Sequence, residues 1–475
     1  MRDLLPPALL AALLSACSLA PKYQRPAAPV PDSWPVAPAA AAEGSVAAAD
    51  QGWRDVLGDP RLQAVVALAL SNNRDLRVAS LNVELARARY GIARSAQFPE
   101  LDASGNYLRA RTPLDQSVVR VPYTSSMWTV GVGVTAWELD LWGRVRSLKE
   151  AALQSWFSTV EAQRAAHLSL VAETASLYLA TRALDEEVDL TRRTLSLVQS
   201  SYDLTRRRYE VGQVSELDLR TAEVQVETAR VNLAALSQQR ALLGDALVLL
   251  VGAPLPDDLP PPAPLDASGI VADLPAGLPS DLLRRRPDLL GAEHSLMAAS
   301  ANIGAARAAF FPTISLTAQG GFSSVEIDHL FDQSSGMWMF SPRITLPIFD
   351  GGRNSANLKV TEVSRDLAVA QYEKSIQVAF REVADALQSR GEIETQIDGL
   401  SRRSAAAERR YQLAQLRFEK GVDSSLVVLS AQQDLYAAQQ LLVQARLARL
   451  QNLVGLYRAL GGGWLERTAQ GEQKG

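Results

Sequence analysis

Cysteine is almost missing: there is one thiol, Cys17, in 475 residues, and only three histidines. A lone cysteine excludes a disulfide within the chain and any cluster of thiolates. His167, His294 and His329 lie far apart in sequence, and no metal-ligand spacing recurs around them. Charge is also in short supply, since 48 Lys and Arg against 52 Asp and Glu leave a net −4. So weak a field implies neither a nucleic acid nor another polyanion as partner. The triplets Arg206-Arg207-Arg208 and Arg284-Arg285-Arg286 read as solvated helix faces. Gly131-Val132-Gly133 sits inside a strand pattern and lacks the helix start that a dinucleotide loop requires. No enzyme is expected, and no cofactor or metal.

From Gly143 to Leu250 the chain also lacks proline, and what is there is a heptad. Leu177, Thr181, Leu184, Val188, Thr191, Leu195, Val198, Tyr202, Thr205 and Tyr209 alternate steps of four and three. Roughly 65 helical residues at ~1.5 Å each make a rod of about 100 Å, too long for one compact domain to hide. A coiled coil, a spacer or a tube wall fits. The rod reverses at Val211-Gly212-Gln213-Val214-Ser215. The pattern then returns 209 positions on, where Tyr411, Leu413, Arg417, Phe418, Glu419 and Gly421 repeat Tyr202, Leu204, Arg208, Tyr209, Glu210 and Gly212. Two helical hairpins in two tandem repeats are implied.

Each repeat opens with a helix and a Phe-Pro step, Phe98-Pro99 and Phe311-Pro312, and then alternates with period two. Leu101, Ala103 and Tyr107 oppose Asp102, Ser104 and Asn106, and Val130, Val132 and Val134 oppose Thr129, Gly131 and Gly133. In the second repeat Ile314, Leu316, Ala318, Gly320 and Phe322 share a face, as do Trp338, Phe340, Ile344, Leu346 and Ile348. About ten residues per strand suits a membrane-spanning β-strand, although a soluble sandwich strand alternates in the same way. Trp128, Trp338, Phe322 and Tyr107 gather near the loop ends, as an interfacial girdle does. Four strands cannot close a barrel, so a spanning sheet must be completed by further copies of the chain, two giving eight strands and three giving twelve.

At the N-terminus, Arg2, the apolar run Leu4 to Leu14 and the small pair Ser15-Ala16 read as a signal peptide. Leu14-Ser15-Ala16-Cys17 resembles a bacterial lipobox, which makes Cys17 the lipid-bearing residue, and Ser18 after it fits sorting to an outer membrane. The Pro- and Ala-rich stretch that follows is an extended tether.

Longer motifs carry a family resemblance. Gly277-Leu278-Pro279-Ser280-Asp281, Arg286-Pro287-Asp288, Ala292-Glu293, the run Asn302 to Pro312, Pro347-Ile348-Phe349-Asp350-Gly351-Gly352-Arg353, Leu460-Gly461-Gly462-Gly463-Trp464 and Tyr23-Gln24-Arg25-Pro26 resemble the outer membrane factors of the TolC superfamily, in the OprM-like lipoprotein branch. The resemblance covers nearly the whole mature chain. It implies a mainly α fold with a β-barrel part: a homotrimer whose twelve-stranded barrel, four strands per chain, continues into a periplasmic α-helical barrel. It also implies an exit duct in the outer membrane that works with a periplasmic membrane-fusion adaptor and an inner-membrane efflux pump, without nucleic acid.

The same resemblance makes the adaptor-binding tips Val211, Gly212, Gln213, Val214 and Ser215 with Lys420, Gly421, Val422, Asp423 and Ser424. Gly212 and Gly421 suit a sharp reversal, and Ser215 and Ser424 are placed to cap the returning helices. The family's periplasmic gate motif falls on Arg417, Phe418, Leu426 and Ser430. Arginine and leucine are kept, while Phe418 and Ser430 stand where the family has a phenol and a carboxylate. The gate therefore rests on a ring of Leu426 with its repeat partner Leu217.

The domain reading is 1–16 signal peptide, 17–52 lipid-anchored tether, 53–253 first repeat, 254–281 Pro-rich connector, 282–464 second repeat and 465–475 tail. The β-hairpins are expected at about 100–137 and 313–348. Two rivals remain: a type I secretion outlet, and a periplasmic coiled-coil scaffold lipoprotein without a pore, which has no use for the four alternating strands.

Overall fold

The structure, a computed structural model, describes residues 19–36, 46–118, 120–271 and 274–468. The signal segment, Cys17, the middle of the tether and the end of the tail lie outside the described residues. The first repeat runs α1 (Trp53–Val56), α2 (Pro60–Asn72), α3 (Arg74–Ser95), β1 (Leu101–Thr112), β2 (Tyr123–Glu138), α4 (Arg144–Glu210) and α5 (Glu216–Val251). After the connector come α6 (Pro279–Arg285), α7 (Pro287–Ala308), β3 (Thr313–Ser324), β4 (Gly336–Thr345), α8 (Arg353–Glu419) and α9 (Ser425–Ala459). Helices α4 and α8 have 67 residues each, as the two heptad rods require. β4 stops at Thr345, short of the expected 348, because Pro347 has no N–H to give to a ladder.

Two compact units divide the chain: residues 1–27, 82–160 and 291–373, and residues 28–81, 161–290 and 374–475. The first unit holds one antiparallel sheet in the order β1-β2-β3-β4. Tyr107 pairs with Trp128, Val130 with Phe322, Gly320 with Trp338 and Ala318 with Phe340, so the apolar residues of all four strands line up on one face. The other face carries Asn106, Thr129, Gln319, Met339 and the facing glycines Gly131 and Gly321. Pro342 is tolerated because β4 is an edge strand.

A bulge interrupts the alternation. Val134 pairs with Ala318, but Trp137, three residues on, pairs with Leu316, two residues back. Ala136 takes φ 54° there and its N–H donates to Thr317 Oγ1 at 3.1 Å. The extra residue moves Trp137 onto the apolar face and turns Glu138 to the polar one, where it pairs with Arg144 at the start of α4. In the same unit the strap from the tether is latched: Tyr23 and Arg25 both donate to Glu293 on α7, whose side chain is 5% exposed.

In the second unit each helical hairpin zips along its own seam. Val198, Val226 and Ala229 pack with Leu195 and Tyr202, and Ala414, Val428 and Ala431 pack with Tyr411 and Phe418. The tail returns beside α1, with Trp53 N–H donating to the Leu465 carbonyl and Thr468 bonding Asp55. Gly462 wraps Tyr457 so closely that a Cβ would lie 2.1 Å from its ring. Arg286 departs from the solvated face read from its triplet. It is buried, paired with Asp288 and Glu382, and donates to the Ala459 carbonyl. A guanidinium so enclosed is kept by the carboxylates around it.

Candidate functional site

The two turns between long helices are built alike on the incoming side. Gly212 has φ +75° and Gly421 φ +71°, the left-handed conformation that spares only glycine a steric cost. Gln213 N–H returns to the Arg208 carbonyl and Val422 N–H to the Arg417 carbonyl, closing each helix with the same pair of bonds that Gly212 and Gly421 make to Tyr209 and Phe418. Val211 and Val422 stand exposed at the two reversals, while Val214 is half-buried.

On the outgoing side the turns differ. Ser215 caps α5 in a full capping box, its hydroxyl accepting from Asp218 N–H while the Asp218 carboxylate accepts from Ser215 N–H. Ser424 makes no such bond, which corrects the expectation from sequence. The third helical residue is Val427 there, with no carboxylate to complete the box. Instead Asp423 receives two bonds from Arg417, at 2.7 and 3.0 Å, and this bidentate hydrogen bonding holds its carboxyl below the usual carboxylate range. Lys420 is exposed beside it.

Of the residues matched to the gate motif, the structure brings none of the four into one cluster. Arg417 is taken by Asp423. Phe418 lies in the seam of its own hairpin, with the Arg208 guanidinium over its ring. The Ser430 hydroxyl accepts from Arg410 at 3.4 Å, and Arg410 pairs with Asp434 one turn further along α9. Leu426 and Leu217 are left bare, 63% and 76% exposed. Arg208 is the residue that sequence reasoning missed. Its signal was the repeat itself, which aligns it with Arg417.

The sheet presents the second element of the site. Its apolar face is uncovered within one chain, with Trp338, Phe340 and Ile344 all strongly exposed. Tyr107 and Trp128 stack across neighbouring strands with ring centres 4.2 Å apart, and Phe322 meets Phe331 of the following loop at 5.6 Å. Four strands with two free edges, apolar on one side and polar on the other, are a sector of a barrel rather than a barrel. Such a sector, joined to helical hairpins whose seams leave exposed apolar rows, defines a channel protomer that needs other copies of itself.

The chain belongs to the outer membrane efflux protein family, whose model matches residues 65–253 and 278–462. It is 46% identical over 475 residues to the probable efflux pump outer membrane protein TtgC of Pseudomonas putida, covering 100% of this chain and 98% of that one. To the outer membrane protein OprJ of Pseudomonas aeruginosa it is 43% identical over 459 residues, or 96% of this chain and 95% of the other. Among solved structures, the open state of the MtrE outer membrane channel of Neisseria gonorrhoeae superposes with a TM-score of 0.89 at 40% identity, over 96% of this chain and 100% of that one. The fold is TolC-like and the protein is an outer membrane efflux channel.

Proposed function

We propose that this chain forms, as a homotrimer, the exit duct of a tripartite RND-type efflux system, passing drugs or other small molecules received from an inner-membrane pump through a periplasmic adaptor. The observation that carries it is the four-stranded sector with a bare apolar face and a polar inner face, twelve strands being the closure that three chains supply. The exposed row Leu217, Val224 and Val231, spaced by sevens on α5, supports contact between copies in the helical part. The duct performs no catalytic step. Its direction and energy come from the pump.

In this reading Cys17 carries the lipid, and several acyl chains, each methylene adding roughly 0.8 kcal/mol, hold the chain to the outer membrane. The tips Val211 to Ser215 and Lys420 to Ser424 meet the adaptor, and the exposed Leu217 and Leu426 meet their copies to shut the pore. Single-channel conductance of the purified lipid-modified protein, with its mass in detergent, tests this directly. Discrete currents from a species of three chains are expected. A monomer without current, in the wild type and in Leu426→Ala alike, returns the scaffold reading.

A further inference from the structure

The sheet ends in two unpaired edges, β1 with 12 residues and β4 with 10. Inside a membrane such edges find no water to bond their N–H and C=O groups. In the proposed homotrimer, on which this inference rests, β4 of one copy therefore lies against β1 of the next. The three antiparallel pairings leave β1 and β4 running in opposite directions, so the seam is antiparallel as well. Parity limits how the two can meet, because a slip of one residue would set the apolar face of one copy against the polar face of the next. With the faces matched, one alignment alone keeps all 10 residues of β4 within β1: Thr345 opposite Asp102 and Gly336 opposite Arg111.

Length and parity set that alignment, and complementary side chains meet in it. On the apolar face Phe340 falls opposite Tyr107 and Trp338 opposite Arg109, a ring pair and a cation beside an indole. On the polar face Met339 falls opposite Leu108, so two apolar side chains on that face cover each other. Sliding either way by two residues keeps the faces matched but parts these pairs and leaves one residue of β4 beyond the end of β1. The charges agree. Within the strands the polar face carries three of them, Asp102, Glu138 and Arg343. Glu138 is held by Arg144, whereas Asp102 and Arg343 have no ion-pair partner among the described residues. They sit on opposite edges near the same end of the sheet, the end joined to the helices. We propose that Arg343 of one copy pairs with Asp102 of the next across this seam. Arg343 stands opposite Ser104 there, one diagonal step of about 7–8 Å from Asp102, which an arginine spans. Three such pairs ring the periplasmic end of the lumen and fix the register in which the barrel closes.

Cysteine pairs in the full-length detergent-solubilised protein test the register, since Cys17 is lipid-bearing in this reading and leaves no competing thiol. Oxidation of a chain carrying Leu108→Cys with Met339→Cys should give a covalent trimer on a non-reducing gel. Met339→Cys with Asn106→Cys or with Ala110→Cys, the two slid registers, should stay largely uncrosslinked. Asp102→Arg and Arg343→Asp test the ion pair: each alone should lose the heat-resistant trimer, and the two together should recover it. Faster cross-linking of either slid pair, single reversals that keep full heat resistance, or a double reversal no more resistant than the single ones would each overturn the proposal. A wild type that is a trimer by mass keeps the duct reading through any of these outcomes, whereas a wild-type monomer ends both.

Discussion

The Arg208 guanidinium lies 4.9 Å from the centre of the Phe418 ring, tying the end of α4 to the end of α8 beside the two turns. A cation over an aromatic face at an exposed site contributes about 0.5–1 kcal/mol. In the proposed gate, where Phe418 and Ser430 stand at positions for which the resemblance implies a phenol and a carboxylate, this contact is a tie between the two hairpins. Three copies sum to roughly 2 kcal/mol, enough to change an open fraction by more than about tenfold. Arg208→Gln and Phe418→Leu should therefore each raise the basal current of the purified channel by that order, and Phe418→Tyr should not. If the double variant leaked as the product of the single ones, the two residues would be acting separately.

Helix capping gives a second, asymmetric expectation. Ser215→Ala removes one half of a capping box and should cost about 1 kcal/mol, read as faster hydrogen exchange at the first-turn amides of α5. Ser424→Ala removes no bond and should leave α9 unchanged. Val427→Asp supplies the missing carboxylate and should slow exchange at the start of α9. Equal effects of the two alanines would mean that the box at Ser215 does not form in solution.

How far the chain could be read without coordinates divides along physical lines. Heptads, strand alternation and the glycine turns are local patterns with fixed periods, and they are why α4, α8, the four strands and both reversals were legible. The bulge at Ala136 was not, because an inserted residue in a strand rich in valine and glycine leaves no turn signal, and it moves Trp137 to the face opposite its parity. Nor were the burial of Arg286 and the stacking of Arg208. Within a triplet of arginines, only the three-dimensional neighbours decide which one faces Glu382, a ring or water. The partner of Arg417 was equally hidden: the motif match names no acceptor for it, and Asp423 on the turn takes both of its bonds.

The bulge itself is testable. Ala136 holds a left-handed conformation that costs an L-residue roughly 1 kcal/mol and glycine almost nothing. Ala136→Gly should keep the fold and gain up to about that amount. Deleting Ala136 removes the extra residue and leaves Trp137 opposite Leu316 on the apolar face and Glu138 opposite Ser315, so regular alternation is restored and assembly in the membrane should survive. Heat-resistant oligomer on a detergent gel is the readout, and a deletion variant that failed to assemble would show that the bulge itself is required and not only the face on which it sets Trp137.

Acid sensitivity should concentrate at His167. Its ring is buried against Trp464 with centres 5.0 Å apart, its Nδ1 has no hydrogen-bond partner among the described residues, and Arg164 stacks over the same indole at 5.4 Å. Burial pushes the imidazole below its ordinary value of 6.5, so the folded chain keeps it neutral where the unfolded chain would charge it. The unfolded state then binds the extra proton, and stability present above pH 6.5 is lost as the pH falls below it. His167→Gln keeps a polar side chain of similar size at this position and removes the titration. Melting temperature measured from pH 7.5 to 5 should fall less steeply in that variant than in the wild type. Parallel slopes would move the acid sensitivity to the carboxylates instead, and leave His167 as a packing residue only.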